Sequence, residues 1–195
     1  MRMRFDTRTR TGTLLGVIAS VILIAGCGSS ETKSGTVSAS AYAGQVCTSV
    51  ASWLHNIQSR ASTLEGELGK QTAPTASKRA LEEFLAAALA DTESAASALR
   101  GAGIPQVANG QKIATTLVAA FERAHGTLAQ LKSKAAALST KSASVFASEA
   151  KQIASSVQAL PLTLGSGVAG LNSPELNKAA AESATCKSVG ARAKS

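Results

Sequence analysis

Glu122 and His125 are the residues of this chain whose types and spacing come nearest to a metal-binding motif. An acid and a histidine three residues apart on a helix supply ligands in di-iron bundles, where two copies of the motif and two further glutamates converge. This chain has a single copy, because Ser52 stands where the second histidine, His55, would need its acid. The pattern therefore favours two partly exposed residues on a helix flank over a metal site.

Other arrangements for catalysis are equally incomplete. The sequence has no Gly-x-Ser-x-Gly nucleophile elbow, and the stretch 165–167 lacks the lysine and hydroxyl residue of a phosphate-binding loop. Glu65 and Glu67 are two residues apart on a predicted helix, so their carboxylates point in different directions. We therefore expect no catalytic residue, no metal and no cofactor, and we predict that the protein is not an enzyme.

The segment that precedes Cys27 has the layout of an export signal. Residues 1–13 contain four arginines and one aspartate, residues 14–25 are a run of twelve mostly apolar residues, and Gly26 and Cys27 follow. Such a run forms a helix of about 18 Å, which is shorter than the ~30 Å hydrocarbon core of a bilayer. A cleaved signal is therefore favoured over a membrane-spanning anchor.

The stretch Ile24-Ala25-Gly26-Cys27 resembles the lipobox of bacterial lipoproteins, with isoleucine where that family usually has leucine. The resemblance covers residues 1–27. It implies that residues 1–26 are removed, that the Cys27 sulfur carries a diacylglycerol, and that the protein lies on the extracytoplasmic face of the cell membrane. Two or more acyl chains, at ~0.8 kcal/mol per buried methylene, anchor a protein stably. The alternative is that Cys27 is an ordinary thiol.

If Cys27 carries lipid, Cys47 and Cys186 remain as an even pair in an oxidising compartment. No Cys-x-x-Cys motif indicates redox catalysis, and two isolated cysteines make a poor metal site. We therefore predict a structural disulfide between Cys47 and Cys186. The loop that it closes is nearly the whole domain, for which the chain-entropy model gives roughly 4–5 kcal/mol.

The part of the chain that follows the export signal is predicted to consist of a tether and a set of helices. Residues 27–41 are small, polar and aperiodic, which predicts a flexible tether with a span on the order of 20 Å. Residues 42–190 show apolar side chains at three- and four-residue spacing, with no convincing strand. We predict an all-α domain, an antiparallel bundle of four long helices plus a short C-terminal helix. The predicted helices cover about 42–70, 76–100, 105–138, 142–160 and 173–189, and residues 162–171 are either a loop or a bent continuation.

Trp53 could be either a core residue or a contact for a partner or ligand. It lies on the apolar side of the first predicted helix, which favours a place in the core. If it were exposed beside Tyr42 and His55, these three residues would be the first candidates for contact with a partner or ligand. The chain also resembles the small, alanine-rich helical lipoproteins and secreted proteins of actinobacteria, a resemblance that implies compartment and fold and no activity. It depends on Cys47, Trp53, the turn at 103–105, residues 120–121 and Cys186.

Charge and composition reduce the number of functions that we consider. Without residues 1–26, sixteen basic and eleven acidic residues remain, a modest net charge of +5 with scattered lysines. One Trp and one Tyr offer little stacking surface, so we expect no nucleic-acid partner. The leading hypothesis is a lipid-anchored, non-enzymatic binding or protein-interaction module of the cell envelope. The alternative is a carrier that holds a hydrophobic ligand between its helices.

Overall fold

The computed structural model describes residues 35–70, 73–161, 164 and 173–192. These residues belong to one compact unit and confirm the all-α class. The predicted signal peptide, Cys27 and most of the segment 162–171 lie outside the described residues. Along the described residues the chain forms β1 (Thr36–Val37), α1 (Ala39–Lys70), α2 (Pro74–Gly101), β2 (Ile104–Pro105), α3 (Gly110–Ala137), α4 (Ala143–Gln158), α5 (Pro174–Glu182) and α6 (Ala184–Arg192).

The helices α1, α2 and α3 pack side by side as antiparallel neighbours. Arg60 of α1 pairs with Asp91 in the second half of α2 at 2.5 Å. Leu64, further along α1, lies with Ser77 near the start of α2, so the two helices run in opposite directions. In the first turns of α2, the Lys78 ammonium donates to the carbonyls of Ala136 and Leu138, at 2.7 and 3.0 Å, where α3 ends. A cation at this position satisfies carbonyl groups that have no partner within the helix.

The core lies between these three helices and α4, on the faces that the apolar spacing predicts. Its side chains are mostly leucine and alanine, and Leu85 and Leu128 are completely buried. Four aromatic residues add bulk, and two of them, Trp53 and Phe121, meet edge to face with 5.4 Å between ring centroids. Among the helices whose residues are described, none combines the length and the apolar character that a membrane crossing requires.

A disulfide between Cys47 and Cys186 joins α1 to α6, as predicted, with 5.0 Å between the two Cα atoms. The single C-terminal helix predicted over 173–189 is wrong, because α5 and α6 are separated at Ser183. Ser183 has extended backbone, and its hydroxyl accepts a hydrogen bond from the Cys186 amide at 3.3 Å. A serine in this position caps a new helix, so the chain changes direction there.

The predicted tether over 27–41 also needs correction, because residues 35–41 belong to the folded domain. The Ile104 amide donates to the Gly35 carbonyl at 3.1 Å, and β1 and β2 pair in parallel. Gly103 has φ +81°, and a Cβ there would lie 2.6 Å from the Gly35 oxygen, so this approach requires glycine. The third helix begins at Gly110, later than predicted, because Asn109 before it is left-handed with φ 59°.

Candidate binding groove

Cys27, the predicted lipidation site, lies outside the described residues, and the three possible contact residues do not share a surface. Trp53 and Tyr42 are each 3% exposed, whereas His55 is exposed. The Trp53 indole N–H donates to the Thr92 hydroxyl at 2.9 Å, and that hydroxyl donates onward to a backbone carbonyl of its own helix. Trp53 is therefore part of the core, and its side chain is too buried to contact a partner.

Tyr42 belongs to a smaller apolar cluster at the end of the bundle where the chain enters. It packs with Ala102, Ile113 and Ala114 around the β1–β2 pair. Burial raises the pKa of the Tyr42 hydroxyl above its usual value, because the phenolate loses solvation. This residue secures the start of α1 and is too enclosed to serve as a contact surface.

Glu122, one of the pair with the spacing of a metal motif, is engaged in ion pairs at the surface. The Glu122 carboxylate accepts a hydrogen bond from Arg100 at 3.1 Å, and Arg100 also pairs with Glu93 at 3.2 Å. These three side chains are about half exposed, so the ion pairs contribute little to stability. Within the part of the chain that the structure describes, no three metal-ligating side chains come together.

An open groove of about 410 Å³ lies between the second half of α1, the first turns of α2, and α4. α4 packs on α2 and α3 and leaves a gap on the side of α1. Four alanines of α4, at spacings of four, three and four residues, face this gap, and their short side chains do not fill it. We call this depression the α1–α4 groove; it is lined by Leu64, Leu68, Pro74, Ser77, Leu81, Ala143, Phe146, Ala147, Ala150, Lys151 and Ala154.

The lining of the α1–α4 groove is apolar except for two residues, Ser77 and Lys151. Ser77 is 8% exposed, and its hydroxyl, which makes no hydrogen bond within the described part of the chain, keeps access to solvent. Lys151 is exposed and forms no ion pair with a described residue. Three other depressions on the described surface are lined by charges of both signs, whereas this one has no carboxylate.

Two helix N-termini open toward the α1–α4 groove. Pro74 and Ser77 belong to the start of α2, and Ala143 and Phe146 to the start of α4. Neither first turn contains an acidic residue, and Ala73, the N-cap of α2, offers no side-chain acceptor. The positive ends of these helix dipoles are therefore not neutralised by side chains of their own first turns.

Large apolar side chains are also exposed at this end of the molecule. Leu68 in the groove is 37% exposed, and Val145, next to Phe146 in the first turn of α4, is 49% exposed. β1 lies just before the start of α1, whereas Leu68 lies near the end of that helix. Because α1 is 32 residues long, its two ends are about 48 Å apart. The exposed apolar surface thus lies far from β1.

No family model, no curated protein and no solved structure matches the chain. The α1–α4 groove is therefore identified from geometry, and none of its residues is predicted from the sequence as a contact. One sequence signal points to it. In α4, alanines recur at helical spacing on the face next to Phe146. A bundle helix normally carries larger apolar side chains at such positions.

Proposed function

We propose that the protein is a lipid-anchored, non-enzymatic binding module on the extracytoplasmic face of the cell membrane, and that the α1–α4 groove is its binding surface. The observation that carries this proposal is the contrast between a filled core and one open, predominantly apolar groove. Leu85 and Leu128 are fully buried, whereas Leu68 in the groove is 37% exposed. Exposed apolar surface in a concave site is typical of binding.

The position of the groove suits a tethered domain. The described part of the domain begins at Gly35, beside β2, and the groove lies at the other end of α1. A lipid on Cys27 would hold the domain by the end that does not bind. The groove would then remain accessible to other molecules of the envelope.

Two occupants of the groove follow from this proposal. The first is an apolar segment of another envelope protein, which would cover the leucines of α1 and the exposed Val145. The second is a hydrophobic ligand, as in a carrier, and a specific observation favours it. The volume of about 410 Å³ falls in the range of small-molecule sites, and a lysine and an unpaired serine hydroxyl interrupt the apolar lining.

The anchor is tested with Cys27→Ala, compared with Ser29→Ala as a control in the same segment. We expect Cys27→Ala to give an uncleaved or soluble protein without lipid, and Ser29→Ala to behave as the natural protein. Gel mobility, membrane fractionation and mass spectrometry measure these outcomes. A Cys27→Ala protein of normal size that stays in the membrane fraction would contradict the anchor.

The binding surface is tested by capture from native membranes with Ala147→Leu, which fills the groove at an exposed position, and Ala90→Leu, at an exposed position of α2 outside it. Proteins and lipids that co-purify with each variant are identified by mass spectrometry. We expect specific molecules to be lost with Ala147→Leu and kept with Ala90→Leu. Equal recovery with both variants would exclude the groove as the binding surface.

A further inference from the structure

We propose that the α1–α4 groove binds a single-chain amphiphile with an anionic head group, of the class of long-chain carboxylates. This inference rests on the proposed function, because it takes the groove to be the binding surface and names the chemistry of its occupant. It depends on three features of the groove, which are its apolar interior, its unpaired hydrogen-bond donors and its lack of the residues that typically anchor protein partners.

The apolar interior fits one alkyl chain. Leu81 and Phe146 are 3% and 6% exposed, and Leu64 and Leu68 form the opposite wall. The alanines that face the groove extend along α4 from Ala143 to Ala154, a distance of about 16 Å. A chain lying along this face would cover Leu68, which is 37% exposed without it.

The charged features of the groove favour a negatively charged head group. The Lys151 ammonium and the Ser77 hydroxyl can donate to a carboxylate, and both lack a partner among the described residues. The N-terminus of α2, capped by an alanine and free of acids in its first turn, adds positive potential. A cationic head group would find no carboxylate among the described lining residues to pair with.

A protein partner fits the groove less well. The lining has eleven residues, compared with the 20–30 residues that each side contributes to a standard protein interface. Its described residues include no Trp, Tyr or Arg, the residues that most often dominate binding energy between proteins. Four of the eleven residues are alanine, a residue that is depleted at such interfaces.

The experiment uses the full-length protein in lipid nanodiscs and a dodecanoate probe that carries a photoreactive diazirine. After irradiation, peptides that carry the probe are mapped by mass spectrometry. We expect labelling of α1 and α4 at the groove, competed by unlabelled dodecanoate. Competition should strengthen about fourfold for each methylene added from octanoate upward until the chain fills the groove. Dodecanol and dodecylamine should compete more weakly.

Matched variants separate the apolar and the charged contributions. Ala147→Leu should abolish labelling, and Ala90→Leu should leave it unchanged. Lys151→Gln should weaken labelling about three- to fivefold, the size expected for an exposed ion pair, and Lys132→Gln on α3 should not. Labelling elsewhere, or equal competition by dodecanol and dodecylamine, would overturn the inference. If the probe does not label the groove while Ala147→Leu still removes a captured protein, the inference fails and the proposed binding surface stands.

Discussion

Removal of the Cys47–Cys186 disulfide should destabilise the whole domain. The bond joins residues 139 positions apart, so reduction frees a loop that contains most of the folded chain. In the chain-entropy model, closing a loop of 139 residues removes about 17 cal/mol/K of conformational entropy from the unfolded chain. This loss stabilises the folded state by about 5 kcal/mol at 25 °C. Native disulfides of this kind typically give about 2–5 kcal/mol, which is a large fraction of the about 5–15 kcal/mol that stabilises an ordinary domain.

The structure also indicates which part of the domain depends most on the bond. α5 and α6 are each nine residues long, and Ala179 is the buried residue of α5. Helices of this length bury little apolar area, so the disulfide is the main covalent restraint that keeps them on α1. Without it, amide hydrogen exchange should rise first in Pro174–Arg192 and only later in α2 and α3.

The assay is urea unfolding followed by circular dichroism for the natural protein and for a variant with Cys47→Ala and Cys186→Ala. We expect the free energy of unfolding of the variant to fall by about 2–5 kcal/mol. The natural protein with a reductant serves as the control, and its transition should coincide with that of the variant. An unchanged unfolding midpoint in both samples would refute the assumption that the bond restricts the unfolded chain.

Three further predictions concern single side chains. Trp53→Phe should cost about 1–3 kcal/mol in urea unfolding, because the core loses volume and a hydrogen bond; no loss would contradict a core role. Gly103→Ala should destabilise and Gly101→Ala, which has open space around it, should not; equal effects would disprove the close approach at β1. The Ser173 hydroxyl lowers the pKa of Glu175, so this contact stabilises above pH 4.5 and is lost as the pH falls. Ser173→Ala should raise that pKa in an NMR titration, and an unchanged value would exclude the contact.

Local side-chain patterns were sufficient to predict the long helices and the disulfide. The spacing of Leu81, Leu85 and Leu99 places them on one face of α2, and the structure buries all three. The disulfide followed from the number of cysteines, since Cys47 and Cys186 remain when Cys27 is set aside. Such features depend on helical periodicity and on composition, which a single sequence contains.

The features that sequence patterns did not predict depend on contacts between distant residues. The two-residue strand β1 forms only because Gly103 allows Ile104 to approach Gly35, and no local signal encodes that pairing. The break at Ser183 depends on a serine that caps one helix while ending another. The α1–α4 groove is defined by space that the alanines of α4 leave unfilled, so its presence follows from packing.

The most direct test of a lipid-anchored binding module is the intact mass of the protein recovered from the membranes of its native cells. We predict a mature chain that begins at Cys27, carries at least two acyl chains, and has the Cys47–Cys186 bond intact. Recovery of the chain with Met1 in place and without fatty acid would contradict it.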